Sequence, residues 1–345
     1  MLGSINRCHR ASPSFEGSED ATLWRAGLAF VSSGLVPSPT QCGLILLADF
    51  NAIGGTPTVQ PLALHNLNAS YGFRPHGLHF DNSSSRLFAV SHSDALKEES
   101  IFVFDVLGRT DETAAALPTL SFRYLLTSPR FEYHTREWLW FLNDVAAVDG
   151  ENELYVTQLG PLQYQPGKFQ RDKALWRCTW READKRPDGR LPASCAHAYS
   201  TLYLGLNGIA IEPKPSTRLW VNDEFGAADG GSQLWPFVRN TTDGRLAPRP
   251  AMPLGGSSID NAERDHASGD LQMGQYMRAD GGGKKAGAEL LARAVDPATG
   301  KYAPAKVAVS LPHNVTYQVS TALTYGRWTL LGSPWDLGPY FCEAV

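Results

Sequence analysis

The sequence has no long apolar run, no CxxC pair and almost no excess of charge. Its uninterrupted apolar stretches are of the order of Gly43 to Ala48. A helix that crosses a bilayer needs roughly 20 such residues. No apolar h-region follows the opening MLGSINRCHR, so a secretory leader is not expected in this chain. Lys and Arg number 31 against 35 Asp and Glu, a net charge of −4. That balance provides no electrostatic basis for binding nucleic acid or an anionic membrane. Composition argues against disorder and for a packed core, since 43% of residues are hydrophobic and 19% charged.

What is present points to strands. Gly (32) and Pro (23) are plentiful and aromatics reach 10%, a mix suited to short strands and tight turns rather than a helical bundle. At 345 residues the length admits two domains, but a single all-β domain can also be this long. One unit spanning residues 1–345 is expected.

The five cysteines are Cys8, Cys42, Cys178, Cys195 and Cys342. Without CxxC spacing they give no zinc site. Cys178 and Cys195 flank the turn-rich stretch ADKRPDGRLP, as facing hairpin strands would, and Cys42 is the candidate odd thiol. Four glycosylation sequons occur at Asn68, Asn82, Asn240 and Asn314. Together with the cysteines they favour a secreted, extracellular protein.

A hairpin pattern recurs along the chain. Its copies include GLAFVSSG, HGLHFDNSSSRLFAVSHS, NDVAAVDGENELYVTQL, NGIAIEPKPSTRLWVNDE, DNAERDHASGDLQMGQ and STALTYGRWTLLGSP. They begin near Gly27, Gly77, Asp144, Gly208, Asn261 and Thr321. Repeats of this length, each a hairpin plus one or two strands, predict a six-bladed β-propeller. Cys8 and Cys342 lie where such a ring must close, and a bond there is favoured as its clamp.

An unusual residue stands at the first strand of most copies: Glu19 and Asp20, His76, Asn143 and Asp144, Asn207, then Asp260 and Asn261. In a propeller these positions converge on the central channel. Carboxylate and amide oxygens without cysteine favour calcium over zinc or copper. His76 opens one strand and His92 ends the next, so their hairpin can bring both rings to one face as a general base.

The same residues carry a family likeness. The chain resembles the serum paraoxonase/arylesterase family of calcium-dependent lactonases. The matching segments are GSED (17–20), GLAFVSSGL (27–35), PHGL (75–78), VSH (90–92), LNDVAAV (142–148), NGIAI (207–211), DN (260–261), SGDL (268–271), VSTALTYGRWTLLGS and the terminal FCEA. They run in order over essentially the whole chain. The resemblance implies a six-bladed propeller holding two calcium ions. Glu19, Asn143, Asn207, Asp260 and Asn261 would hold the catalytic ion. Asp20, Asp144 and the Leu78 carbonyl would hold a structural one. His76 and His92 would form the dyad and Cys8–Cys342 the closing disulfide. The substrate would be a small lactone or aryl ester.

The chain departs from that pattern in places. Gln275–Tyr276 replaces a Cys-His pair, and Ser91 replaces an Asn. The stretch GPLQYQPGKFQRDKALW is rich in Pro and Gly, and the segment from Ala114 to Trp140 is longer and more aromatic than expected. The hydrophobic N-terminal anchor is missing, so no membrane docking is carried over. Two other readings share the fold: a strictosidine-synthase- or gluconolactonase-like enzyme, and a non-catalytic calcium-stabilised binding scaffold.

Overall fold

The computed structural model describes residues 7–11, 13, 15–35, 43–52, 54–93, 95–108, 117–131, 141–159, 174–199, 205–224, 232–254, 258–265, 267–276, 288–296, 301–311 and 318–343. Cys42, Asn314 and, of the two divergent segments, residues 114–116, 132–140 and 160–173 lie outside them. Among the described residues the structure is all β, with only two short 3₁₀ turns, at Ala69–Tyr71 and Glu182–Asp184.

The strands form antiparallel meanders in a propeller-like arrangement. One meander runs Pro75–Asp81, Arg86–Ser93, Glu98–Leu107, Thr119–Thr127. The next runs Phe141–Ala147, Glu153–Leu159, Ala174–Thr179, Ser194–Tyr199. Two more follow, from Leu206–Ile211 to Leu246–Pro248 and from Ser258–Arg264 to Lys306–Ser310. A larger sheet joins the two chain ends. Here the meander Glu16–Arg25 to Thr58–Pro61 meets Thr321–Tyr325, Trp328–Leu337, Tyr340–Glu343 and Arg7–Arg10, the junction being Ser18 opposite Ser333.

Apolar clusters fill the spaces between successive meanders. Phe88, Val90 and Ile101 pack on Leu142, Val156 and Trp176. Phe30, Ile45 and Leu47 pack on Phe80, Leu87 and Phe102. Because each sheet is covered on both faces, middle strands read as continuous apolar runs rather than alternating ones. Ile101-Phe102-Val103-Phe104 is such a run, buried throughout.

The chain ends meet in one ladder. Arg7–Arg10 pairs antiparallel with Tyr340–Glu343, placing Cys8 opposite Cys342, and the two are bonded. Cys178 and Cys195 also face each other across paired strands and are bonded. One placement differs from the sequence reading. The first repeat, read from Gly27, starts a strand late, because the meander begins with the polar strand Glu16–Arg25.

Candidate functional site

The first strands of the meanders carry a shared irregularity. Ser18 and Ala21 pair with Ser33 and Val31, so three steps on the inner strand face two on its neighbour. The same extra residue occurs between Pro75 and Leu78, Leu142 and Val145, Leu206 and Ile209, and Ile259 and Ala262. A β-bulge of this kind leaves a residue outside the ladder and re-aims its side chain. The bulged pairs are Glu19-Asp20, His76-Gly77, Asn143-Asp144, Asn207-Gly208 and Asp260-Asn261. The strand Thr321–Tyr325 is regular and has no such pair.

Hydroxyls and carboxylates replace the lost ladder bonds. The Asp20 N–H donates to Ser32 Oγ at 2.9 Å, and the Asp144 N–H to Thr157 Oγ1 at 3.0 Å. Each Asp then reaches the next meander. Asp20 Oδ2 accepts from the Leu78 N–H at 2.7 Å, and Asp144 Oδ2 from the Ile209 N–H at 2.8 Å. Asn261 Nδ2 donates to Glu19 Oε1 at 2.9 Å.

The bulged side chains are all buried, and their charge is poorly compensated by protein. Burial, then the nearby Glu19, pushes the Asp20 carboxyl well above its usual range, against the Leu78 N–H. Burial and Asp20 do the same to Asp144. Burial, Glu19 and Glu224 raise Asp260. Like charges crowded in low dielectric require protons or a cation.

Four oxygens at the bulges lack a protein partner. Among the described residues Glu19 Oε2, Asn143 Oδ1, Asn207 Oδ1 and Asn261 Oδ1 are buried without a hydrogen-bond partner. An unsatisfied buried polar atom costs about 1–3 kcal/mol, and here four come from one set of bulges. Among the described residues no three His, Cys, Asp or Glu side chains group as a metal site by themselves. The donor set is instead one carboxylate oxygen with three amides, a hard oxygen cradle that fits calcium.

Beside the oxygens lies a chain of rings and carboxylates. His76 Nε2 is 3.1 Å from Glu19 Oε1. His76 Nδ1 is 2.8 Å from His92 Nε2. His92 Nδ1 is 2.6 Å from Glu99 Oε2. The hairpin thus sets both histidines on one face, and Glu99 extends the line.

Two residues of this neighbourhood, Glu99 and Glu224, escape sequence reasoning, and Tyr276 is marked there only as a departure from the family pattern. Glu99 sits in the apolar strand Glu98–Leu107, where an acid near the start reads as solvated, yet it is buried. Glu224 follows a strand and reads as a turn residue. It accepts from the Ser258 hydroxyl and lies 3.5 Å from Asn207 Nδ2. Tyr276 donates its phenol to Asp260 Oδ2. Leu78, expected to offer its carbonyl, is held beside Asp20 through its N–H.

No protein-family model matches the chain, and no curated protein matches it. A putative 6-phosphogluconolactonase of Bacteroides fragilis aligns with TM-score 0.45 and 13% identity over 88% of this chain and 73% of that one. A periplasmic gluconolactonase of Pseudomonas aeruginosa aligns with TM-score 0.52 and 15% identity over 92% of this chain and 82% of that one, and the chain shares its fold.

Proposed function

We propose that this protein hydrolyses lactones at the central oxygen cluster, within a single six-bladed propeller spanning the chain. The observation that supports the reading is that four partnerless buried oxygens come from the same set of bulges as His76, whose ring faces His92 and Glu19. Glu19, Asn143, Asn207, Asp260 and Asn261 would hold one calcium ion. Asp20, Asp144 and the Leu78 carbonyl would hold a second. A calcium ion bound in the first set would supply positive charge to the lactone carbonyl oxygen as it becomes an oxyanion.

The chain's own residues do the rest. His76 Nε2 is placed to accept a proton from water beside Glu19. His92 holds the other ring nitrogen of His76 and fixes the ring plane. The buried carboxylates keep the site short of positive charge until a cation arrives.

Two substrate classes compete. The family likeness in the sequence points to small lactones and aryl esters. The shared fold with a gluconolactonase favours a sugar lactone, and δ-gluconolactone is therefore the first substrate to try. Both disulfides fit an oxidising compartment. The exposed sequon residues Asn68, Asn82 and Asn240 fit a secreted, glycosylated chain.

The test is a hydrolysis screen of δ-gluconolactone, alkyl lactones and phenyl acetate, with calcium and with chelator. Calcium-dependent turnover of a lactone is expected. His76→Gln should lower it by roughly 10²–10⁴-fold, the worth of a positioned base. No turnover of any substrate, with calcium binding intact, would leave the binding-scaffold reading standing.

A further inference from the structure

We infer that Glu99 is a positioning residue that fixes His92 as its Nδ1–H tautomer and so directs the basic nitrogen of the dyad, His76 Nε2, into the central site. The inference rests on the lactonase reading for its kinetic consequence and on geometry alone for the tautomer.

The argument is one of counting protons. Glu99, His92, His76 and Glu19 form a line with three gaps, at 2.6, 2.8 and 3.1 Å. Each gap needs one hydrogen to be a hydrogen bond. An ionised carboxylate can only accept, and a neutral imidazole carries a single N–H. Two neutral rings therefore supply two protons for three gaps, and one gap stays without. The two carboxylates compete for the polarity of the line. If Glu19 prevails, His76 donates from Nε2 and presents no lone pair to the site. If Glu99 prevails, His92 donates from Nδ1, His76 donates from Nδ1 to His92 Nε2, and the lone pair emerges at His76 Nε2.

The distances favour Glu99. Its gap is the shortest of the three and the Glu19 gap the longest. Glu99 is also fixed in place, since its Oε2 accepts the Leu142 N–H at 3.2 Å. Leu142 directly precedes the bulge at Asn143, so the strand that presents a calcium oxygen also anchors the group that orders the dyad. His92 is held by Glu99 on one nitrogen and faces His76 on the other, the arrangement by which a far-side acceptor sets a histidine's tautomer.

The experiment uses the full, disulfide-bonded chain with calcium and ¹⁵N-histidine. Long-range ¹H–¹⁵N spectra at a pH where both rings are neutral should show His92 with a pyrrole-type Nδ1 and a pyridine-type Nε2. In Glu99→Met the His92 pattern should invert or become mixed. In Glu99→Gln, whose amide oxygen can still accept, it should change less. kcat on the best lactone should fall about 10–100-fold in Glu99→Met, as for other groups that orient a histidine from behind. It should fall less in Glu99→Gln, with KM unchanged in both. The melting-temperature rise on adding calcium should match wild type, which separates ordering of the dyad from damage to the oxygen cluster. A wild-type His92 protonated on Nε2, or a tautomer unmoved in both variants, overturns the inference. If wild type turns over no lactone, the hydrolase reading fails, and the spectra still decide whether Glu99 orders the rings.

Discussion

Gly77 lies so close to Asn143 that a β-carbon on it would stand 2.5 Å from the Asn143 carbonyl oxygen. Gly208 repeats the relationship, its absent β-carbon falling 2.6 Å from Asn261 Cα. The bulged pairs thus come in two kinds. Glu19-Asp20, Asn143-Asp144 and Asp260-Asn261 present two polar side chains. His76-Gly77 and Asn207-Gly208 present one, and the glycine lets the neighbouring bulge seat against it. The Asp of one strand then reaches the N–H just beyond the glycine of the next, Asp20 to Leu78 and Asp144 to Ile209.

Gly77→Ala and Gly208→Ala should each push two bulged strands apart. Overpacking at such a contact costs about 1–3 kcal/mol. The effect on the oxygen cluster should be larger than the effect on stability, because it displaces Asn143 or Asn261. Thermal melts with and without calcium check this. Gly326→Ala is the control: its φ is +61° but no atom lies within 4 Å of the added carbon. It should lower stability through backbone strain alone, by about 1–2 kcal/mol, and leave the calcium response intact.

The partnerless oxygens make a second prediction. Calcium should raise the melting temperature by several degrees, since binding to the folded state alone stabilises it by mass action. Asn143→Ala removes one of the four oxygens without removing a carboxylate. It should shrink the calcium-induced rise while changing the metal-free melt far less. Equal curves with calcium and chelator for wild type would rule out the metal site.

Much of this arrangement was legible in the sequence, and the reasons are specific. Hairpin copies could be found because their turns carry Asn, Asp, Gly and Pro between apolar strands, as in DNSSSR between Phe80 and Leu87. The first copy slipped by one strand because Glu16–Arg25 is an inner strand whose polar EGSED start does not read as core, whereas GLAFVSSG does. The polar pairs stood out by recurring at one repeat position. Their bulges did not, since an extra residue in a ladder is a property of pairing and leaves no compositional mark. Glu99 was hidden for a different reason. Its burial depends on Leu142 and His92, 43 and 7 residues away, and nothing local distinguishes it from its half-buried neighbour Glu98.

The two disulfides should differ in what they contribute. Cys8–Cys342 closes a separation of 334 residues and Cys178–Cys195 one of 17. Chain-entropy arguments then give roughly 5–6 kcal/mol for the first and roughly 3 kcal/mol for the second. The first bond also pins Arg7–Arg10 to Tyr340–Glu343, the ladder that joins the chain ends. Paired Cys8→Ser and Cys342→Ser substitutions should therefore lower the denaturation midpoint more than Cys178→Ser with Cys195→Ser. Equal losses would show that the end-to-end ladder holds without its bond.

A buried acid away from the oxygen cluster gives a prediction in pH. Glu289 lies on the strand Ala288–Ala292 and is buried, accepting from Thr324 Oγ1 at 3.0 Å and from Thr329 Oγ1 at 3.4 Å. Burial raises its carboxyl from 4.5 to about 7, opposed by the two hydroxyls and by Arg293. A carboxyl raised on folding binds its proton more tightly in the folded state, so its contribution is fully present below pH 4.5. It is lost as the pH climbs through about 7. The interval corresponds to about 3 kcal/mol. Glu289→Gln keeps the shape and never ionises, so it should escape that loss. Wild type and variant compared at one fixed calcium concentration, where the bulge carboxylates contribute equally to both, isolate the one group. The two should be equally stable near pH 4, and the variant more stable by up to about 3 kcal/mol at pH 8. A stability difference that stays flat from pH 4 to 8 would mean that Glu289 does not titrate in this interval.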